Sequence, residues 1–302
     1  MRIFVKFLII ALIWVPYMMI SKGKNSFLAD LAVALVAFAL AGVADYIFYR
    51  KRPCSPAYVL YLKEIRSFLS SPIGYIFIAL FVSFIGVVLW SIPSESGGTN
   101  ILDNGFANID PLFVIAPWLY LILIPAITMR SFSEEKKNGT IELLLTRPLS
   151  DLQIIAAKYL AGLTLVAVSL LPTLFYYYSV TVLAAPKVTV DTGAMWGSYT
   201  GLLCLGAAFV AIGVFSSAIS DNQVVAYIVA ALLCFISYVG FESLAESGIF
   251  GKNGAFFKSL GLNDHYVSMS RGMIDTRDAI YFLSVIIIFN LFTKLKLESR
   301  KW

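Results

Sequence analysis

Side chains able to do chemistry are few in this chain, and they do not converge. The single histidine is His265, and the three cysteines, Cys54, Cys204 and Cys234, lie far apart, so neither a disulfide framework nor a metal-ligand spacing is present. The Gly-Lys pairs at Gly23 and Gly251 lack the first glycine of a phosphate-binding GxxxxGK[ST] loop, and there is no HExxH or GxSxG. Carriers that use ion gradients place charged side chains at mid-membrane depth. Here Lys158 falls near the start of an apolar run and Asp221 in a short turn, so any transport must draw its energy from elsewhere.

Charge is concentrated in one place. Met129 to Gln153, MRSFSEEKKNGTIELLLTRPLSDLQ, is the most polar long stretch and lies between two apolar runs. It is too short for a domain and suited to recognition: an amphipathic helix presented to a partner at the membrane surface. Ser131 with Glu134, and Ser150 with Gln153, have capping-box spacing, which predicts two helix starts around a break at Gly139-Thr140. Thr140 is placed to cap a short helix containing the apolar knot Ile141, Leu143, Leu144 and Leu145, closed by Arg147-Pro148. A loop helix resting on the bilayer is the plainer reading of the same residues.

The elements that must hold this stretch are membrane helices. Of 302 residues, 59% are apolar and 14% charged, with a mean hydropathy of +0.83, whereas soluble chains carry about 25% charge. The expected fold is all-α and polytopic. Six core spans are predicted at Ile73 to Ile92, Leu112 to Met129, Ile154 to Leu183, Tyr199 to Ile219, Val224 to Phe241 and Ala279 to Thr293. Pro117 and Pro125 predict a kinked or broken second span. An interfacial helix over Tyr58 to Ser71, carrying Lys63, Glu64 and Arg66, precedes the first span and is stopped by Pro72. The runs Phe7 to Ile20 and Leu31 to Ala44 are short for a crossing and predict an N-terminal hairpin over residues 1–56; a signal peptide is the rival reading of the first run. The predicted division is thus 1–56 and 57–302.

Net charge is +5, yet the basic residues sit at the ends of apolar runs, a membrane-orientation pattern that argues against nucleic acid. With Met129 to Gln153 in the cytoplasm, alternation puts both termini there too, along with 16 of the 23 basic residues. The opposite orientation inverts that excess. The loop Glu242 to Asp278 dissents, with four basic residues outside, offset by five acidic ones. Apolar spans with little internal polarity suit lipid-like cargo, or a closed path that opens transiently.

The run from Met129 to Gly162, with its EExxxGTxExLLTxP pattern, resembles the segment between the second and third spans of type 2 ABC transporter permeases. KEIRSFLSSPIGY, TGAMWGSYTGLL and AIGVFSSAISDNQVVAY are similar to the gliding-motility-associated members of that superfamily. The likeness covers Leu62 to Trp302; residues 1–56 depart from it. It implies that Glu134, Glu135, Gly139, Thr140, Ile141, Glu142, Leu143, Leu144, Leu145, Thr146, Arg147 and Pro148 form a coupling segment that docks on an ABC ATPase subunit. It further implies an elbow helix before the first span, a second permease copy or related membrane subunit, and, for the gliding-motility type, an auxiliary subunit. ATP and Mg would be bound by the ATPase, with no cofactor and no catalytic residue in this chain, which would sit in the cell inner membrane. Polysaccharide, drug or metal-maturation export are the neighbouring readings within the superfamily. A non-transporting membrane scaffold is the reading outside it, and an intramembrane hydrolase lacks the required groups.

Overall fold

Proline sets the first corner. Helix α1 (Pro56–Ser70) opens on Pro56 and ends before Pro72, which begins α2 (Pro72–Trp90). Proline has no N–H to give, and the next donor, the Ile73 amide, bonds the Ser71 hydroxyl at 3.3 Å. The corner closes tightly because residue 74 is glycine: a Cβ there would lie 2.4 Å from the Phe68 carbonyl oxygen. The computed structural model describes residues 56–90, 100–101, 109–142, 149–184, 191–247, 254–272 and 275–299. The expected N-terminal hairpin, but for Pro56, lies outside them.

The other elements follow in chain order. They are α3 (Asp110–Thr128), α4 (Arg130–Lys137), α5 (Asp151–Leu170), α6 (Leu174–Leu183), α7 (Thr192–Ile219) and α8 (Gln223–Phe235). A π-helical turn (Ile236–Gly240) leads into α9 (Phe241–Glu246), and α10 (Gly254–Lys258), α11 (Leu262–Ser270) and α12 (Thr276–Glu298) complete the set. No strand occurs among the described residues.

Among the described residues, six helical stretches are long and apolar enough to cross a membrane: Pro72–Trp90, Asp110–Lys137, Asp151–Leu183, Thr192–Ile219, Gln223–Glu246 and Thr276–Glu298. They coincide with the six expected spans, and most are longer. A full-length span needs polar ends as well as an apolar middle, and hydropathy reads only the middle.

A break in the second span, one of the two forms expected at Pro117 and Pro125, does not occur. Pro117 and Pro125 both lie inside α3 with no break at either. Instead the chain interrupts at Pro172, between α5 and α6, where the Thr173 hydroxyl donates to the Leu170 carbonyl at 2.7 Å and lies 3.1 Å from the Tyr199 hydroxyl. The Leu170 carbonyl thus takes the Thr173 amide, at 3.2 Å, and hydroxyl in place of the α-helical donor four residues on.

Helix α7 is the axis of the bundle. Its most apolar window is 78% buried, against 22% for Gln223–Glu246 and 17% for Thr276–Glu298. Helices α3, α5, α8, α11 and α12 pack around it. Glycines permit the approach: a Cβ on Gly206 would come 2.8 Å from a Val166 methyl of α5, and one on Gly213 would come 2.0 Å from the Thr128 hydroxyl of α3. The α7–α8 hairpin closes by side-chain capping, with Asn222 accepting from the Val224 amide at 2.9 Å and Ser220 accepting from the Asn222 amide at 3.1 Å.

Candidate functional site

The charged stretch after α3 is built as an extension of that span. Asp110–Lys137 runs 28 residues, which at about 1.5 Å each is about 42 Å of helix, while a bilayer core is about 30 Å thick. So α4 stands clear of the apolar layer. Its start differs from the expected capping box: Met129 is helical with no side-chain cap, and Ser131 lies within the helix, where its carbonyl accepts from Lys158 Nζ at 2.6 Å. A helix continuing from a span needs no N-cap. Ser217 of α7 clamps the joint instead, donating to the Met129 carbonyl at 2.9 Å and accepting from the Phe132 and Ser133 amides at 2.8 and 3.1 Å.

The end of α4 is a Schellman turn. Gly139 has φ +68°; its amide donates to the Lys136 carbonyl at 3.1 Å and the Thr140 amide to the Glu135 carbonyl at 2.9 Å. Nothing lies within 4 Å of where a Gly139 Cβ would stand, so glycine is needed for its backbone conformation and not for room. The expected break at Gly139-Thr140 is therefore present. On the far side, the Ser150–Gln153 capping box that opens α5 is fully formed.

A buried lysine joins the parts. Lys158 of α5 has a side chain 1% exposed, and its Nζ lies 3.0 Å from Glu135 of α4 and 3.3 Å from Glu64 of α1. It also stands 5.0 Å above the Phe132 ring. Lys63 closes the cluster from the rim, 3.2 Å from Glu64 and 3.3 Å from Glu135. Burial lowers the affinity of Lys63 for its proton, but the two carboxylates more than offset it and hold its pKa above the usual lysine value. On the other flank of α4, Lys136 donates to the Ala218 carbonyl and lies 3.5 Å from Asp221 in the α7–α8 turn. The arrangement carries no nucleophile with a base beside it. It can transmit force: α1, α5 and the α7–α8 turn meet on one short helix, α4, so displacement of α4 strains all three.

A family model described as ABC-2 family transporter protein matches residues 58–295. The chain belongs to the ABC-2 transporter family. Among curated proteins none matches it. The matched region begins two residues into α1 and runs to the last turns of α12, so the permease fold embraces every span described above.

Of the predicted site residues of this permease, Glu134, Gly139, Thr140 and Glu142 are exposed, and Ile141 is buried. Glu135 faces inward to Lys158 and Lys63, with its second carboxylate oxygen buried and unpaired. Leu143, Leu144, Leu145, Thr146, Arg147 and Pro148 lie outside the described residues. Sequence reasoning noted Glu64 and Lys158 only as charges on an interfacial helix and near a helix end, did not bring them together, and passed over Ser217. The one available signal was Lys158 as the sole charge in the long run Ile154 to Leu183.

At the opposite end, His265 behaves as a loop staple. Its Nδ1 lies 2.7 Å from Asp278 and its Nε2 2.9 Å from the Ser259 carbonyl, and its ring stacks on Tyr281 with centroids 3.9 Å apart. Among the described residues no group of His, Cys, Asp and Glu is placed to hold a metal ion.

Proposed function

We propose that this permease is the membrane subunit of an ATP-driven exporter of the gliding-motility-associated type. In this reading α4 and the residues that follow it form the coupling segment on which a separate ABC ATPase docks. The observation that carries the reading is the Glu64–Lys158–Glu135 junction, which makes the exposed tip after α4 mechanically continuous with three other elements. A tip that only rested on lipid would gain nothing from being anchored so firmly to α1 and α5. Both termini and the tip are then cytoplasmic, in the inner membrane. A second permease copy, or a related membrane subunit, completes the path, and an auxiliary subunit joins it in the gliding-motility type. The division at residue 56 separates a dispensable hairpin from the working transporter. The gliding-motility role rests on sequence likeness alone, and export of polysaccharide, drug or a metal-maturation intermediate uses the same coupling.

Docking and lipid contact are separated by charge. A leucine buried in an ATPase groove contributes about 1.5 to 3 kcal/mol, and so does one buried in lipid, whereas exposed Glu142 can select orientation only against a protein partner. Leu144→Asp is therefore expected to weaken either arrangement. Glu142→Lys is expected to abolish copurification with the ATPase and stimulated ATP hydrolysis while leaving membrane insertion normal. Wild-type capture of the ATPase by both variants would move the protein to the scaffold reading.

A further inference from the structure

A cavity of about 660 Å³ opens at the end of the bundle opposite the Lys158 cluster, between α3, the α8–α9 bend, α11 and the start of α7. Its walls are graded in polarity along the bundle axis. On α3, Asp110, Val114 and Trp118 line it at four-residue spacing, one helical face running from a charge at the helix start to apolar groups about 12 Å deeper. The neighbouring wall repeats the order in reverse chain sense, with Tyr238 and Val239 deep and Glu242 at the outer end. Tyr238 and Val239 both lie on the π-helical turn Ile236–Gly240, and such turns recur at functional sites. Tyr238 stands edge-on to Trp118 with centroids 6.0 Å apart. Helix α11 closes the top with Ser270 and Arg271. Its Tyr266 hydroxyl donates to the Phe113 carbonyl at 2.6 Å, and burial pushes that phenol well above its ordinary pKa.

Two features fix the chemistry of an occupant. Val114 is 64% and Trp118 50% exposed, so the deep half opens sideways on the surface that faces hydrocarbon. At the polar end, Arg271 is exposed and has no ion-pair partner among the described residues, while Asp110 and Glu242 supply negative charge beside it. Glu242 is steadied by Asn263 at 2.6 Å and Lys258 at 3.5 Å. An amphiphile with an anionic and a cationic group at one end and a hydrocarbon chain at the other matches all three walls. We propose that this cavity binds one aminophospholipid, phosphatidylethanolamine, from the leaflet it opens on. The phosphate lies against Arg271, the ammonium against Asp110, and an acyl chain runs over Val114 and Trp118. The site does not rest on the coupling reading, because none of its residues belongs to the α4 junction.

Native mass spectrometry of the detergent-purified full chain, titrated with dioleoyl phosphatidylethanolamine or dioleoyl phosphatidylglycerol, tests it. The ethanolamine lipid is expected to be retained at about tenfold lower concentration, the worth of one charge-assisted contact. Arg271→Gln should erase that retention, and Arg277→Gln, on α12 outside the cavity, should keep it. Asp110→Asn should shift preference toward the glycerol lipid, and it serves as the second variant if Arg271→Gln does not fold. Equal retention of the two lipids by the wild type, undiminished retention by Arg271→Gln, or an unchanged preference in Asp110→Asn overturns the site. Displacement of the lipid by free phosphoethanolamine at matching concentration overturns the membrane source.

Discussion

Lys158 decides the residue scale. An ammonium with 1% of its side chain exposed pays a desolvation cost of several kcal/mol that only well-placed partners offset, and here two carboxylates, a carbonyl and an aromatic face share the task. Removing it strands Glu64 and Glu135. Lys158→Ala is therefore expected to destabilise the protein by about 3 to 5 kcal/mol, read by thermal unfolding of the purified chain. Glu135→Gln in the Lys158→Ala background should cost far less than it does alone, because the charge it would neutralise is already unpaired. Additive losses would show that the two side chains do not interact. Lys63 answers to pH in a fixed sense. Its raised pKa means that its contribution is complete below the ordinary lysine value near 10.4 and fades as pH climbs through the higher folded value, so the rim of the cluster is constant at neutral pH. Sequence shows Glu134 and Glu135 as equivalent neighbours. They part only in three dimensions, because about 100° of helix rotation separates them and the partner of Glu135 lies on another helix.

At the scale of elements, apolar runs locate spans well, and the capping box at Ser150 and the stop at Gly139 were legible because both are local chemistry. The failures were non-local. Whether a proline breaks a span depends on neighbours that cover the freed groups, so Pro125 and Pro172 look alike in the sequence and differ in the fold. Gly206 and Gly213 likewise carry no sign in the sequence of which neighbours they meet, and in the fold they face α5 and α3. A helix buried on every side carries no periodic signal to say which face meets which neighbour. Gly213→Ala is expected to cost about 1 to 3 kcal/mol by overpacking, since a Cβ there would lie 2.8 Å from the Thr128 Cβ, an atom with little freedom to move. Gly193→Ala is the control, because its nearest neighbour, an Asp191 oxygen, is at 3.4 Å, and it should be nearly neutral. Denaturation midpoints of the two variants that coincide would remove Thr128 as the obstacle.

For the whole molecule the question is which way it faces. The two ends of the bundle are chemically distinct: one gathers α4, the α7–α8 turn and the start of α5, joined by Lys158 and by the Lys136–Asp221 pair, and the other holds α10, α11 and the His265 staple. Among the described residues, eight of the eleven basic side chains lie towards the α4 end, Lys258, Arg271 and Arg277 being the exceptions, and positive charge is retained on the cytoplasmic face. The dissenting loop has a structural reason to be tolerated. Of its basic residues, Lys258 is paired with Glu242, and in the proposed lipid site Arg271 meets a phosphate, so neither acts as a free orienting charge. A cysteine introduced at Asn138, exposed just after α4, is expected to react with a membrane-impermeant maleimide only when the cytoplasmic face is open. One at Ser247, exposed just after α9, should react in intact cells. The reversed pattern would place the α4 tip where no ATPase can reach it, and the coupling proposal would fall while the helix packing around α7 stood unchanged.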